Sequence, residues 1–471
     1  MRYIFSFLLL LSGFLPVATM AQNFADSAKH EAYLILGNIK IQGNKQTKEK
    51  IILREFPLKT GDTIAVSEVA EFLKKSQQNI INTSLFNFAT IDSSVDSNQR
   101  LNLQVKVIER WYLWPNPIFE IAERNFNTWL ENPNLDRVSY GCYVVKNNFR
   151  GRKENIQFRV RLGYAEQYGF AYNIPYLNKK QNLGLGMAFS FSRNHEIQYK
   201  SENNKQVFYK DPNNYVREEL GARIRLGYRI GIYGSHSIEL RYNEAKVVDT
   251  LRYITKNYFS NNNIKTQFLS LNFQFRDDRR DNKAYPLTGY FAALDVTQVG
   301  FGLLKNEDFS VFRTELLYNR YDHLWKRFYL AEGIKLKLSP NSNQPYFVQR
   351  GLGFADFVRG YEIYVIDGQN YGLIRSNIKY QLVKPHVQKL SWVPSEKFNT
   401  FHYAFYVNLF ADAAYVSDME YTENNFLANK FIYGTGIGID FVTYYDLVFR
   451  VEAALNGLNK TGLFLHLVAP I

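Results

Sequence analysis

One cysteine, Cys142, stands in a chain of 471 residues. A lone thiol closes no intrachain disulfide and builds no metal-thiolate cluster. Methionine is almost as scarce, with 4 copies. Beyond the N-terminus, no stretch approaches the roughly 20 apolar residues that a membrane helix needs. The 7 histidines are scattered without metal spacing, and neither a Gly-x-Ser-x-Gly elbow nor a phosphate-binding loop occurs. The expectation is a protein that is not an enzyme and that uses no cofactor and no metal.

What is present begins with an export signal. Arg2 supplies a positive start, Ile4 to Val17 are mostly apolar, and Thr19-Met20-Ala21 resembles a small-residue cleavage site. Residues 1–21 therefore read as a signal peptide, with the mature chain starting near Gln22. No cysteine follows the apolar stretch, which argues against a lipoprotein. The formal charge of +13 suits anionic lipids or nucleic acid, and export argues against nucleic acid. Tyr and Phe are abundant, with 34 and 37 copies. That load suits aromatic girdles at the two faces of a membrane, and a large secreted β-sandwich shares it.

Residues 22–110 read as a small α+β domain. Ile39 and Ile41 alternate with Lys40 and Gln42 in a first strand that ends at Gly43-Asn44. Thr47 is placed to cap a short helix carrying Ile51, Ile52 and Phe56, which Pro57 terminates. Gly61-Asp62 makes a turn, and Ser67 is placed to cap a second helix. Val69, Phe72, Leu73, Ser76 and Ile80 share one face of it. Phe88, Ala89 and Ile91 predict a second strand. Leu101, Leu103, Val105 and Val107 alternate with polar residues in a third.

From Trp111 onward the period changes to two. Gln157–Leu162 places Phe158, Val160 and Leu162 on one face and Gln157, Arg159 and Arg161 on the other. Arg223–Ile230, Leu269–Arg276, Ile334–Leu338 and Arg375–Leu382 repeat the pattern. A soluble half-buried sheet also alternates. The charged, amide-rich polar face and the recurrence to the end of the chain favour a transmembrane antiparallel β-barrel over 111–471. The roughly 350 residues available, at about 20 per strand with its connection, allow about sixteen strands of 9–11 residues. Much of the positive charge then lines a lumen, and Cys142 is a wall residue. Ser201–Asn204 and Asn261–Asn263 suit long exposed connections. Trp111-Tyr112-Leu113-Trp114-Pro115 joins the two parts, with Pro115 and Pro117 stiffening a hinge or a packed contact.

Three motifs stand out. Val358-Arg359-Gly360-Tyr361 puts a large cation within the barrel series. Asp278, Arg280, Asp281 and Asn282, followed by Pro286 and Gly289, punctuate a turn between strands. In Phe405–Asp412, alternation sends Phe405, Val407 and Leu409 to lipid and Tyr406, Asn408, Phe410 and Asp412 to the lumen. Gly434, Gly436 and Gly438 share one parity in the next strand, a face that leaves room for an inserted loop. Arg450 and Glu452 point inward in the strand after it. A planar guanidinium bridges two carboxylates well, so Asp412 and Glu452 are candidate partners of Arg359, with Asp440 behind them. The bland alternative makes Arg359 a pore-lining charge.

Together these motifs resemble the BamA/TamA-type outer-membrane assembly superfamily. The resemblance rests on the Val358–Tyr361 run, on the Asp278–Gly289 signature and on Phe410-Ala411-Asp412-Ala413-Ala414. In the small domain it rests on Ile39–Asn44, Leu58–Asp62 and Ser84-Leu85-Phe86, which resemble a single POTRA domain. It implies a sixteen-stranded barrel in the cell outer membrane, a periplasmic POTRA domain, and a sixth loop folded into the lumen with Arg359 at its tip. It implies assembly or insertion of outer-membrane proteins, or translocation. Partners would be unfolded outer-membrane or secreted clients, membrane lipids and accessory lipoproteins, with no nucleic acid. Alternatives are a two-partner secretion pore for one dedicated protein and a passive channel barrel. The chain departs from the pattern at Ala414, where glycine is usual, and at its end, Ala469-Pro470-Ile471, where an aromatic residue is usual.

Overall fold

A computed structural model of the protein describes residues 32–121, 138–255, 257–340, 344–395, 397–420 and 425–467. The expected signal peptide and the terminal Val468–Ile471 lie outside the described residues.

The N-terminal domain is a four-stranded sheet covered by two helices. Its elements are β1 (Tyr33–Gln42), α1 (Glu49–Leu53), β2 (Thr63–Ala65), α2 (Val69–Ile81), β3 (Phe86–Val95) and β4 (Arg100–Glu109), in sheet order β2-β1-β4-β3. Alternation decides which strand face is buried: Leu101, Leu103, Val105 and Val107 point to the helices and are buried. Ile51, Ile52, Phe72 and Ile80 meet them from the helical side. Three expectations fail in detail. Neither helix start carries a side-chain cap. Thr47 stands one residue before the N-cap position, Lys48, and its hydroxyl donates to the Glu109 carboxylate at 2.6 Å. Ser67 falls in a single 3-10 turn, Val66–Glu68, ahead of α2. The segment after Gly61-Asp62 pairs with β1 as the short strand β2.

The second body is one antiparallel sheet of 16 strands. Its first five are β5 (Leu113–Ile121), β6 (Val138–Phe149), β7 (Glu154–Gly163), β8 (Ala165–Ile174) and β9 (Leu183–Asn194). A separate hairpin, β10 (Glu196–Glu202) and β11 (Lys205–Lys210), interrupts the series. Then follow β12 (Arg217–Ile230), β13 (Gly234–Val247), the short helix α3 (Leu251–Ile254), β14 (Lys265–Asp278), β15 (Gly289–Val299) and β16 (Val311–Trp325). The last are β17 (Phe328–Leu338), β18 (Asn370–Lys389), β19 (Thr400–Ser417), β20 (Phe431–Val442), β21 (Val448–Asn456) and β22 (Thr461–Leu467). Outward positions are apolar and exposed, among them Phe158, Ile224, Leu271, Ile334, Leu409 and Leu465. Such a face is stable only in lipid, and the inward face carries the Arg, Lys and carboxylates, as a transmembrane barrel requires. Cys142 lies in β6 and is exposed on the wall. No helix among the described residues is long and apolar enough to cross a membrane.

Pro115 and Pro117 are not a hinge. They lie inside β5, opposite Val144 and Cys142 of β6. A proline has no N–H for a ladder, so it is tolerated only at a sheet edge. β5 is such an edge: among the described residues no ladder joins it to β22, the other end of the sheet. The aromatics beside it pack instead, with Trp114 edge-on to Tyr445 at 5.0 Å between ring centres.

Candidate functional site: a latched lid in the barrel lumen

The connection between β17 and β18 folds back into the barrel and carries Val358-Arg359-Gly360-Tyr361. Val358 and Tyr361 are buried in an apolar cluster with Leu352, Ile366, Val416 and Ile432, which anchors the loop on β19 and β20. The loop is also held by the β10–β11 hairpin, which leaves the barrel at the same end as the β17–β18 connection. Asn203 and Asn204 take positive φ angles at the tip of the β10–β11 hairpin, as a tight hairpin turn demands. The Asn204 side-chain amide then donates to the Val365 carbonyl at 3.1 Å, and the Val365 N–H donates to the Asn204 carbonyl at 2.9 Å.

Arg359 is 3% exposed and fully engaged. Its Nε donates to Asp412 Oδ2 at 2.8 Å and its Nη2 to Asp412 Oδ1 at 2.5 Å, a bidentate fork. Nη1 donates to Asn377 Oδ1 at 2.7 Å and lies 3.3 Å from Glu452 Oε1. The guanidinium also stacks over the Phe410 ring at 4.0 Å. Buried charge is tolerable only when paired and hydrogen-bonded on every side. This site meets that condition with two carboxylates, an amide and a ring.

The three inward glycines of β20 have different tasks. A Cβ on Gly434 would meet the Arg359 carbonyl oxygen at 1.9 Å, so Gly434 admits the loop backbone itself. A Cβ on Gly436 would meet the Phe410 ring at 2.6 Å, and one on Gly438 would meet Asn408 and Glu452 at 2.9 Å. Gly360 takes φ +93°, and its carbonyl accepts from the Asn456 amide at 2.7 Å. Ala414 causes no irregularity: it pairs in register with Leu373 and Ile432 and packs in the same apolar cluster.

Asp440 does not partner Arg359. It faces Arg450 across the β20–β21 ladder and is forked by that guanidinium at 2.6 and 2.9 Å. Its second oxygen also accepts from Tyr285 at 2.6 Å. The register places Asp440 nearer the domain end of the barrel than Asp412, so it neutralises the nearer cation.

The Asp278–Gly289 segment forms a turn at that end. Arg280 forks Asp278 at 2.8 Å through both Nε and Nη2. Asp281 Oδ1 accepts from the Asn282 and Leu287 N–H groups, and Asn282 Oδ1 from those of Ala284 and Tyr285. The turn that holds Pro286 thereby projects Tyr285 into the lumen. Gly289 at φ +99° closes it, because a Cβ there would meet the Arg279 carbonyl at 2.2 Å.

Sequence reasoning missed Asn377, Asn456 and the lid contacts of His466, which alternation reads only as a lumen residue. His466 on β22 lies 3.3 Å from Glu452 Oε2 and stacks on Phe357 of the lid, linking the lid to the last strand. The inward parity of Arg375–Leu382 was a signal for Asn377. Nothing local distinguished the other two.

The N-terminal domain docks on the turns at the near end of the barrel. Glu55 is 2% exposed and receives a fork from Arg229 of β12 at 3.0 and 2.8 Å. Burial opposes the charge of Glu55, and Arg229 overcomes it, holding the carboxyl below its usual range. Arg110 pairs with Asp446 of the β20–β21 connection at 2.5 and 2.9 Å. Asn82 of the domain donates to the Arg280 and Asp281 carbonyls at 3.2 Å.

Comparison with known proteins agrees with this architecture. Residues 148–443 match the Omp85 superfamily domain, and residues 34–110 match a POTRA domain described as the surface antigen variable number repeat. No curated protein matches the sequence. Among solved structures, BamA from Haemophilus ducreyi lacking POTRA domains 1–3 is similar, at 14% identity and TM-score 0.50, over 92% of this chain and 84% of that one. CdiB from Escherichia coli is similar at 11% identity and TM-score 0.53, over 92% of this chain and 75% of that one. At such identities the likeness concerns the fold. The match over most of the barrel decides the family: the chain belongs to the Omp85 superfamily.

Proposed function

We propose that the protein is an assembly factor of the outer membrane, inserting or translocating unfolded polypeptides, with its POTRA domain in the periplasm. The observation that carries this reading is the latch of Arg359 on Asp412 and Glu452 beneath the lid. A passive channel has no use for a loop that fills its own lumen on a buried ion-pair network. In an assembly factor, the latch keeps the barrel wall in one shape while the seam between β5 and β22 stays free to move.

The periplasmic domain supplies the client's first contact. Among the described residues β3 pairs with β4 alone, so its other edge presents unpaired backbone groups around the exposed Ser93, Ser94 and Val95. An extended client strand can add there by main-chain hydrogen bonds. Lipids around the wall and accessory lipoproteins are further partners in this reading. The mechanism needs binding and shape change and forms no covalent bond.

Depletion in cells tests it. Broad loss of outer-membrane barrel proteins is the expected result. Loss of a single secreted protein, with the other barrels unchanged, would assign the chain to a dedicated secretion pore.

A further inference from the structure

A cavity of about 410 Å³ lies between the docked domain and the inner barrel wall. Its charge is lopsided. Lys153, Arg225, Arg229, Arg276 and Lys283 line it, against Glu55 and Asp278. Arg229 is taken by Glu55 and Arg276 by Asp295. Among the described residues no carboxylate forms an ion pair with Lys153 or Arg225, and Lys283 reaches Asp278 only at 3.8 Å. Burial pushes the Lys153 ammonium down to about 8, with Glu55 opposing the shift and Arg229 and Arg54 adding to it. A cation so placed gains from any added anion.

The floor is open. Gly184 and Gly186 of β9 and Gly227 of β12 stand on the inward face, and Gly184 pairs directly with Gly227. No side chain rises from these positions, so an extended backbone can lie there. Asn79, Asn82 and Thr83 of the POTRA domain face it from the opposite side and offer amide and hydroxyl groups. The domain's own Glu55 already demonstrates what the site accepts: a carboxylate in a bidentate fork.

We propose that this cavity is a carboxylate-binding site for an acidic segment of an unfolded polypeptide. That segment competes with Glu55 for Arg229 and so releases the POTRA domain from the barrel mouth. The inference rests on the assembly reading for the identity of the polypeptide. The site faces the lumen and the periplasm, away from the lipid-facing wall, so a polypeptide reaches it more readily than a lipid headgroup. The added carboxylates pair with Lys153, Arg225 and Lys283, which the closed form leaves with surplus charge, and Arg229 exchanges one carboxylate for another while Glu55 passes to solvent.

The test is binding of fluorescein-labelled hexaglutamate to the purified full-length protein in detergent, with hexalysine and inorganic phosphate as comparison probes. Saturable, salt-sensitive binding of hexaglutamate and none of hexalysine is expected. Lys153→Gln/Arg225→Gln should weaken it at least tenfold, and Lys153→Gln alone at least threefold. Heat-modifiable gel mobility verifies that each variant keeps its barrel. Glu55→Gln should tighten binding about fivefold, because the competitor is gone. Unchanged affinity in a folded double variant, or no tightening in Glu55→Gln, would overturn the proposal. So would phosphate binding with no hexaglutamate binding, which marks a small-anion site. None of these readouts depends on assembly activity in cells, so their failure is separate from failure of the functional reading.

Discussion

At the lid, one guanidinium is surrounded by carboxylates; at the domain joint, one carboxylate is surrounded by cations. The two ends of the barrel are closed by inverted chemistry. In the latch, Asp412 has Arg359, Asp440 has Arg450, and Glu452 is shared between the two guanidiniums. At the joint, cations outnumber acids, and among the described residues Lys153 and Arg225 form no ion pair with an acid. A balanced buried network resists change, because removing any member strands another charge. An unbalanced one responds to whatever supplies the missing charge. The lid is therefore the static closure and the domain joint the responsive one.

The largest expected effect comes from emptying the latch. Arg359→Ala leaves Asp412 and Glu452 buried without their shared cation, a loss of about 3–5 kcal/mol in a dry site and less in a hydrated lumen. The temperature at which the folded gel band converts to the unfolded one should fall clearly. Arg359→Lys should recover part of it, since an ammonium lacks the fork. Equal transitions in wild type and Arg359→Ala would end the distinction between the two closures.

Asp367, near the end of the lid connection, is 1% exposed. Burial, with Asp418 adding, pushes its carboxyl up to about 6. The folded form holds the proton more tightly than the unfolded one. The contribution of Asp367 to stability is therefore highest below about pH 4, falls as pH rises to 6, and then levels off. Asp367→Asn should stabilise the lid by up to roughly 3 kcal/mol at pH 8 and hardly at all at pH 4. Hydrogen exchange of the Leu352 and Ile366 amides, which bond across the lid, reads the change.

Glu55→Gln should loosen the domain joint by roughly 1.5–3 kcal/mol, the range for charge-assisted hydrogen bonds. Distances between spin labels at Lys74→Cys and Lys179→Cys, in a Cys142→Ala background, should broaden. Combined with Arg359→Ala, its effect should be additive within about 0.5 kcal/mol. Stronger coupling would mean the two closures are one device.

The smallest effect is expected at the seam. Pro115→Ala/Pro117→Ala returns two N–H donors to the open edge of β5, worth about 1 kcal/mol each where β22 can accept them. Cross-linking across the seam should rise modestly. No increase would mean that the edge is held apart by something other than missing donors.

Period-two alternation was enough to read the barrel, because lipid outside and charge inside impose it on nearly every strand. The same parity led to Asp412 and Glu452, and the geometry brings Arg359 to both. It failed where tertiary register decides. Asp440 shares the inward parity of Asp412 yet meets Arg450, since position along the strand is invisible to alternation. Pro115 and Pro117 suggested a hinge because proline usually breaks strands; only the sheet order reveals that β5 is an edge. Thr47 suited a helix cap by residue type, while its partner Glu109 lies 62 residues away. The Glu55–Arg229 joint spans 174 residues and two domains, with no local signal in either segment.

The central claim is that the Arg359 latch supports assembly of other proteins, beyond the stability of its own barrel. Its most direct test is a reconstituted reaction: purified protein in liposomes, an unfolded outer-membrane barrel added, and the client's folding rate followed by gel shift. Wild type should accelerate folding over empty liposomes. Arg359→Ala, inserted and folded at the assay temperature, should lose most of that acceleration. Full acceleration by Arg359→Ala would contradict the account.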